Sequence, residues 1–137
     1  MGVTLLLITH DNVGKSMLTA ANNMMGGSPI HCKNLLIHQQ MDIEQGYLKA
    51  KQLYSELEEG DGVLVITDIY GSTPSNIATR LLEQHSREQI TIVTGLNLPM
   101  LVRVMNYAHL NLHQLAQKAG SCAKDSIFVI DNSINCD

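Results

Sequence analysis

The sequence predicts an α/β fold with an open, mostly parallel sheet in the strand order 2-1-3-4 and helices on both faces. Short apolar runs alternate along the chain with segments of helical periodicity, which is typical of this class. The apolar runs are nearly continuous, as expected for strands that are buried on both faces of a parallel sheet. Right-handed crossovers between parallel strands leave few other topologies.

Four strands are predicted from the apolar runs, at Val3–Thr9, Asn34–His38, Gly62–Thr67 and Gln89–Thr94. Each run is rich in Leu or in β-branched residues, which pack well on the pleated surface of a sheet. The apolar piece Ile127–Ile130 is predicted to add a fifth strand near the end of the chain.

Five helices are predicted from apolar residues at helical spacing, at Val13–Met25, Ile43–Leu57, Pro74–Gln84, Pro99–Tyr107 and Leu112–Ala119. Glycines follow the first two helices closely, and glycine readily ends a helix. Gly120 and Ser121 are predicted to form a hinge before the last strand. We expect residues 1–137 to form a single domain.

The composition is that of a globular protein with one core. Of the 137 residues, 45% are hydrophobic and 16% are charged, which excludes disordered and low-complexity chains. The net charge of −4 makes nucleic acid and anionic membranes poor partners. The first residues carry no basic side chain and only a short apolar run, unlike a signal peptide or a membrane span. Three widely spaced cysteines fit a disulfide scaffold badly, so we expect a cytoplasmic protein.

Two polar residues are predicted to meet at one edge of the sheet. His10 follows the first strand and Asp68 the third, and ligands of such sheets bind outside the carboxyl ends of the strands. These strands are neighbours in the predicted order, about 4.8 Å apart. A carboxylate beside a histidine fixes its tautomer, so that the other ring nitrogen becomes an outward-facing nucleophile. The alternative is that His10 only ends a strand in solvent.

The turn after Asp68 is predicted to bind an anion such as a phosphoryl group. Gly71 permits a tight turn, Ser72 or Thr73 can cap the following helix, and Pro74 suits its first position. The start of a helix offers free N–H groups and the positive end of a dipole. The alternative is an ordinary, well-capped turn between strand and helix.

A nucleotide-binding P-loop is a competing interpretation of the first loop. The segment Thr9–Ser16 matches the P-loop pattern except at its first position. There the loop needs glycine to turn around phosphates, and a β-branched threonine is poorly suited. The sequence therefore disfavours a P-loop.

Three motifs resemble the enzyme IIA domain of the mannose family of the bacterial phosphotransferase system. They are I-T-H at Ile8–His10, D-I-Y-G-S-T-P-S-N at Asp68–Asn76 and V-T-G-L-N-L-P-M-L at Val93–Leu101. The resemblance runs from about Val3 to Ile130, nearly the whole chain. The second and third motifs together are specific.

The resemblance implies phosphoryl transfer between protein histidines. His10 would accept a phosphoryl group on Nε2 from the phosphohistidine of the carrier HPr and pass it to a IIB partner during sugar uptake. Asp68 would hold the other ring nitrogen, and Gly71, Ser72 and Thr73 would hold the phosphoryl oxygens. No metal or cofactor is expected, because donor and acceptor are both nitrogen. Family members are homodimers in which the last strand pairs across the subunits, antiparallel to the rest.

This sequence departs from the family pattern beside the expected phosphorylation site. Asp11 stands where the family usually has glycine, and its charge is expected to weaken a phosphohistidine by repulsion. Ser72 replaces a second glycine. The chain ends at Asp137, so we expect IIB on a separate chain. The alternative functions are a regulatory phosphohistidine module that binds target proteins, and phosphoryl supply to a dihydroxyacetone kinase.

Overall fold

Within residues 2–132, four parallel strands form one sheet in the predicted order β2-β1-β3-β4. The computed structural model describes residues 2–132; Met1 and residues 133–137, which include Cys136, lie outside the described residues. The strands are β1 (Thr4–His10), β2 (Cys32–Ile37), β3 (Val63–Thr67) and β4 (Ile90–Thr94).

In the described part of the chain, five helices connect and follow the strands: α1 (Val13–Met25), α2 (Ile43–Leu57), α3 (Thr73–Leu82), α4 (Leu98–Asn106) and α5 (Leu112–Asp125). The predicted hinge at Gly120 and Ser121 is wrong, because α5 continues through both residues to Asp125. Glycine costs a helix interior only about 0.5–1 kcal/mol, which tertiary packing readily offsets. Within residues 2–132, the helices are too short or too polar to cross a membrane.

The sheet separates two apolar layers. Alternate residues of β1 point to opposite faces, so Leu5 and Leu7 join one layer while Leu6 and Ile8 join the other. The helices α1, α4 and α5 cover the first face, and α2 and α3 cover the second. Burial on both faces explains why the apolar runs are continuous rather than alternating.

The predicted fifth strand is not formed within the single chain. Residues 127–130 have no regular secondary structure, and all four apolar side chains are exposed, from 58% at Phe128 to 83% at Val129. A strand needs a hydrogen-bonding neighbour, and within residues 2–132 none of the strands β1–β4 pairs with this segment. Its pairing with a second subunit stays a prediction.

The strand register brings the carboxyl ends of β1, β2 and β3 together at one edge. Ile8 pairs with Thr67 of β3, and His10, the last residue of β1, pairs with Ile37 of β2. Asp68 follows directly after Thr67. The end of β1 therefore lies between the ends of its two neighbours, and we call this region the carboxyl edge.

Candidate active site at the carboxyl edge of the sheet

His10 and Asp68 meet at the carboxyl edge, as the sequence predicts. Oδ2 of Asp68 lies 2.9 Å from Nδ1 of His10 and accepts the backbone N–H of His10 at 3.0 Å. Oδ1 of Asp68 accepts the backbone N–H of Ile69 at 3.1 Å. The Asp68 side chain is only 10% exposed, whereas that of His10 is 41% exposed. Three donors therefore compensate the partial burial of one carboxylate.

This arrangement fixes the tautomer of the His10 ring. A carboxylate accepts hydrogen bonds, so the short contact assigns a proton to Nδ1 and leaves the lone pair on Nε2. The same carboxylate also binds the backbone N–H of His10, which restricts the ring relative to the main chain. The result is a nucleophilic nitrogen directed away from its carboxylate partner on a partly exposed ring.

The turn after Asp68 differs from its prediction in two details. Ser72 occupies the N-cap position of α3, but its hydroxyl donates to the carbonyl of Ile69 at 2.6 Å and makes no cap hydrogen bond. The helix begins at Thr73, so Pro74 is its second residue rather than its first. Gly71 has a φ of +84°, a left-handed conformation that favours glycine. The first N–H groups of α3 are therefore not capped by a side chain.

The loop after β1 has no P-loop geometry. The hydroxyl of Thr9 is buried and accepts the backbone N–H of Gly14 at 2.9 Å, so this amide in the first turn of α1 is bound to Thr9 and not free for an anion. A Cβ atom on Gly14 would lie 2.8 Å from that hydroxyl, which explains the glycine by close approach. Thr9, the residue that does not match the P-loop pattern, therefore stabilises the start of α1 through this hydrogen bond.

Asp11 and His38 form a second pair at the same edge, which the sequence reasoning missed. Nδ1 of His38 lies 3.1 Å from Oδ1 of Asp11, and both side chains are mostly exposed. Asp11 has a φ of +44°, so it adopts the left-handed backbone that glycine adopts readily. The pair could have been predicted from the sequence, because Asp11 and His38 follow neighbouring strands, as His10 and Asp68 do.

These features define a class of protein: an open α/β domain with a carboxylate-oriented histidine at the carboxyl edge, beside the start of a helix. Comparison with known families gives the particular one. The model of the phosphotransferase-system (PTS) fructose IIA component family, EIIA-man, matches residues 4–119. The chain belongs to this family, a component of the phosphotransferase system, whose general work is phosphoryl transfer in sugar uptake.

Individual relatives agree with the family assignment. A segment of 50 residues is 36% identical to YadI of Escherichia coli (strain K12), named as a candidate phosphotransferase enzyme IIA component; the match spans 36% of this chain and 33% of YadI. The mannose/sorbose-specific IIA subunit from Enterococcus faecalis superposes with a TM-score of 0.85 at 22% identity, over 98% of this chain and 99% of that one, and this likeness shows the fold. A PTS IIA protein associated with the fucose utilization operon of Streptococcus pneumoniae has a TM-score of 0.77 at 25% identity, covering 94% and 93%.

Proposed function

We propose that this chain is a phosphoryl carrier, which accepts a phosphoryl group from the phosphohistidine of HPr on Nε2 of His10. It passes the group to a histidine of a IIB protein, in the cytoplasm. The observation that carries the proposal is the pairing of Nδ1 of His10 with the mostly buried carboxylate of Asp68. The pairing leaves Nε2 as the nucleophilic atom of the ring.

In the proposed step, the lone pair on Nε2 of His10 attacks the phosphorus of the donor phosphohistidine in line. One P–N bond forms as the donor P–N bond breaks, and its electron pair returns to the donor ring. Nε2 carries no proton in this tautomer, so none has to leave. The His10 ring becomes positively charged, and the Asp68 carboxylate stabilises that charge through Nδ1–H. In the onward step, a histidine of the IIB protein attacks the same phosphorus. A new P–N bond forms as the P–Nε2 bond breaks, and its electron pair returns to the His10 ring.

The transferred phosphoryl group needs hydrogen-bond donors for its equatorial oxygens, and the turn at Gly71, Ser72 and Thr73 is proposed to supply them. Two observations support this role. The side chain of Ser72 makes no cap hydrogen bond to α3, so the first helix amides stay available. The exposed Thr73 offers a hydroxyl at the same helix start. Together with the positive end of the helix dipole, these groups favour a bound anion.

A protein donor fits this site because two large side chains lie beside it in exposed positions. Ile69 and Tyr70 follow Asp68 directly, and they are 60% and 82% exposed. Exposed apolar residues that lie together mark surfaces for protein partners, whereas small molecules bind in concave pockets. We propose that HPr and the IIB protein dock over these two residues in turn.

We also propose that two copies pair through the apolar segment 127–130. The four consecutive exposed apolar residues support this, because water-exposed runs of this length are unusual in a monomer. Sedimentation of the purified chain tests it. A dimer that Val129→Asp converts to monomer supports the pairing, and a wild-type monomer at all concentrations contradicts it.

Phosphorylation of the purified chain tests the proposed function. Incubation with enzyme I, HPr and phosphoenolpyruvate should add about 80 Da to the intact mass, one phosphoryl group that mild acid removes. We expect His10→Ala to show no addition while its circular dichroism spectrum stays unchanged. His31→Ala is the matched control, because His31 also pairs with a carboxylate but lies at the opposite edge of the sheet.

Two results would change the proposal. An unchanged wild-type mass in the presence of phosphorylated HPr would contradict it and favour a binding role. Phosphorylation of His10 without onward transfer to any IIB protein would favour the regulatory alternative, in which the phosphorylated and unphosphorylated states bind different targets.

A further inference from the structure

A second histidine–carboxylate pair lies beside the first, on the opposite side of β1. The register pairs His10 with Ile37, so Asp11 and His38 are the next residues along the two chains. The backbone N–H of Asp11 donates to the carbonyl of Ile37 at 3.0 Å, which extends the pairing by one step. Oδ1 of Asp11 then reaches Nδ1 of His38 at 3.1 Å.

The Asp11 carboxylate places a negative charge next to the residue that would carry the phosphoryl group, His10. A phosphoryl group carries about −1.5 to −2 charges at neutral pH, and a neighbouring carboxylate repels it. A free carboxylate is also an anion, and it would compete with phosphate for the amides at the start of α3. The side on which the Asp11 carboxylate is held therefore matters for the reaction.

The pairing with His38 holds this carboxylate on the favourable side. In the sheet, β2 and β3 flank β1 on opposite sides. His38 follows β2, whereas Asp68 and the turn at Gly71–Thr73 follow β3. A hydrogen bond to His38 thus draws Asp11 toward β2 and away from the amides that would hold the phosphoryl group.

We propose that His38 is a positioning residue, which binds the Asp11 carboxylate and keeps it away from His10 and from the phosphoryl site. The effect on phosphoryl transfer rests on the proposed function, whereas the hydrogen bond itself does not. A role for His38 as a second phosphoryl acceptor is less well supported. Its carboxylate partner is 70% exposed, and the helix after β2 begins at an acidic N-cap, Asp42, whose side chain already accepts the N–H of Glu44.

The first test needs no phosphorylation. Imidazole ¹⁵N spectra at alkaline pH should show the Nδ1–H tautomer for His38, and Asp11→Gly should shift it toward the Nε2–H tautomer that a free imidazole prefers. Glycine also suits the left-handed backbone at this position. His38→Gln should displace the ring signals of His10, and the double variant with Asp11→Gly should return them. His31→Gln is the matched control and should change neither set. Unmoved His10 signals in His38→Gln would overturn the proposal.

The second test measures the initial rate of phosphorylation by phosphorylated HPr. His38→Gln should slow the reaction roughly two- to tenfold, the range for a coupled pair that is mostly exposed. Adding Asp11→Gly should restore the rate, because the carboxylate that His38 controls is then gone. A merely structural role of His38 would leave the double variant as slow as the single one. Such a result, or a normal rate in His38→Gln, would overturn the positioning role.

The two tests separate the inference from the proposed function. A wild-type chain that accepts no phosphoryl group would defeat the proposed function, while the imidazole spectra would still decide where Asp11 is held. Phosphorylation that persists in His10→Ala and disappears when His38→Ala is added would make His38 an acceptor, and it would overturn the positioning role.

Discussion

The two edges of the sheet carry histidine–carboxylate pairs of different quality. At the carboxyl edge, Asp68 is 10% exposed, lies 2.9 Å from His10 and receives three N–H donors. At the opposite edge, Glu59 is 39% exposed and lies 3.8 Å from His31. The residue types are equivalent, but a single long contact between exposed groups fixes neither ring nor tautomer. Partial burial and several donors are what turn such a pair into a chemical site.

The largest expected effect comes from breaking the pair at the carboxyl edge. Asp68→Asn should lower the rate of phosphorylation by HPr about 10²–10⁴-fold, the range for losing the group that sets the tautomer of a reactive histidine. His10 and the Ile69 N–H contact different oxygens of Asp68. An amide has only one oxygen, so Asp68→Asn would lose one of these two contacts. Transfer kinetics from phosphorylated HPr measure the effect.

Glu59→Gln is the matched control at the other edge. An exposed pair contributes only about 0–1 kcal/mol to stability, and this pair lies away from His10, so the rate should stay within twofold of wild type. Circular dichroism of both variants excludes misfolding as the cause. Equal rates in the Asp68 and Glu59 variants would contradict the difference between the edges.

The loop beneath His10 should be sensitive to a single methyl group. In Gly14→Ala the new Cβ would lie 2.8 Å from the buried Thr9 hydroxyl, which accepts the backbone N–H of residue 14. We expect a loss of about 1–3 kcal/mol in the free energy of unfolding, from overpacking and a weakened hydrogen bond to the Thr9 hydroxyl. Denaturant unfolding measures it, and an unchanged midpoint would show that the loop adapts freely.

A glycine-to-alanine substitution far from the site should raise the free energy of unfolding instead of lowering it. Gly120 lies inside α5, and a Cβ atom there would meet nothing within 4 Å. Gly120→Ala should therefore stabilise the chain by about 0.5–1 kcal/mol through helix propensity. A loss of stability in this variant would mean that the surface of α5 is covered by contacts outside the single chain.

The buried thiol of Cys32, at the edge opposite the site, should make the chain less stable at alkaline pH. Burial raises the pKa of the Cys32 thiol to about 12, at the start of β2. The unfolded thiol loses its proton near pH 8.5 and the native thiol keeps it, so stability falls as pH rises above about 9. The expected slope is about −1 kcal/mol per pH unit between pH 9 and 10. Cys32→Ala should remove it, and an equally steep slope in this variant would assign the loss to other groups.

The sequence was most informative where a pattern has one structural solution. Continuous apolar runs alternating with helices predicted the strand order, and the rule for carboxyl ends then brought His10 and Asp68 together. The motifs also predicted the family correctly. The roles of Gly71, Ser72 and Thr73 in holding phosphate stay predictions.

Details that depend on competing hydrogen bonds were not predicted. The Ser72 hydroxyl could accept a helix N–H or donate to a turn carbonyl, and in the structure it donates to the carbonyl of Ile69. The hydrogen bond from His38 to the Asp11 carboxylate depends on a left-handed backbone at Asp11, which the sequence indicated only as an aspartate at a position where the family has glycine. The length of α5 was not predicted, because Gly120 was interpreted as the end of the helix. A glycine within a helical pattern is tolerated, and α5 continues to Asp125.

The position of phosphorus on the His10 ring tests the central claim most directly. Phosphorus–nitrogen couplings in the ³¹P and ¹⁵N spectra of the phosphorylated, ¹⁵N-histidine-labelled chain identify the nitrogen that carries the group. We predict phosphorus on Nε2 and a retained proton on Nδ1, in contact with Asp68. Phosphorus on Nδ1 of His10, or on any other side chain, would contradict it.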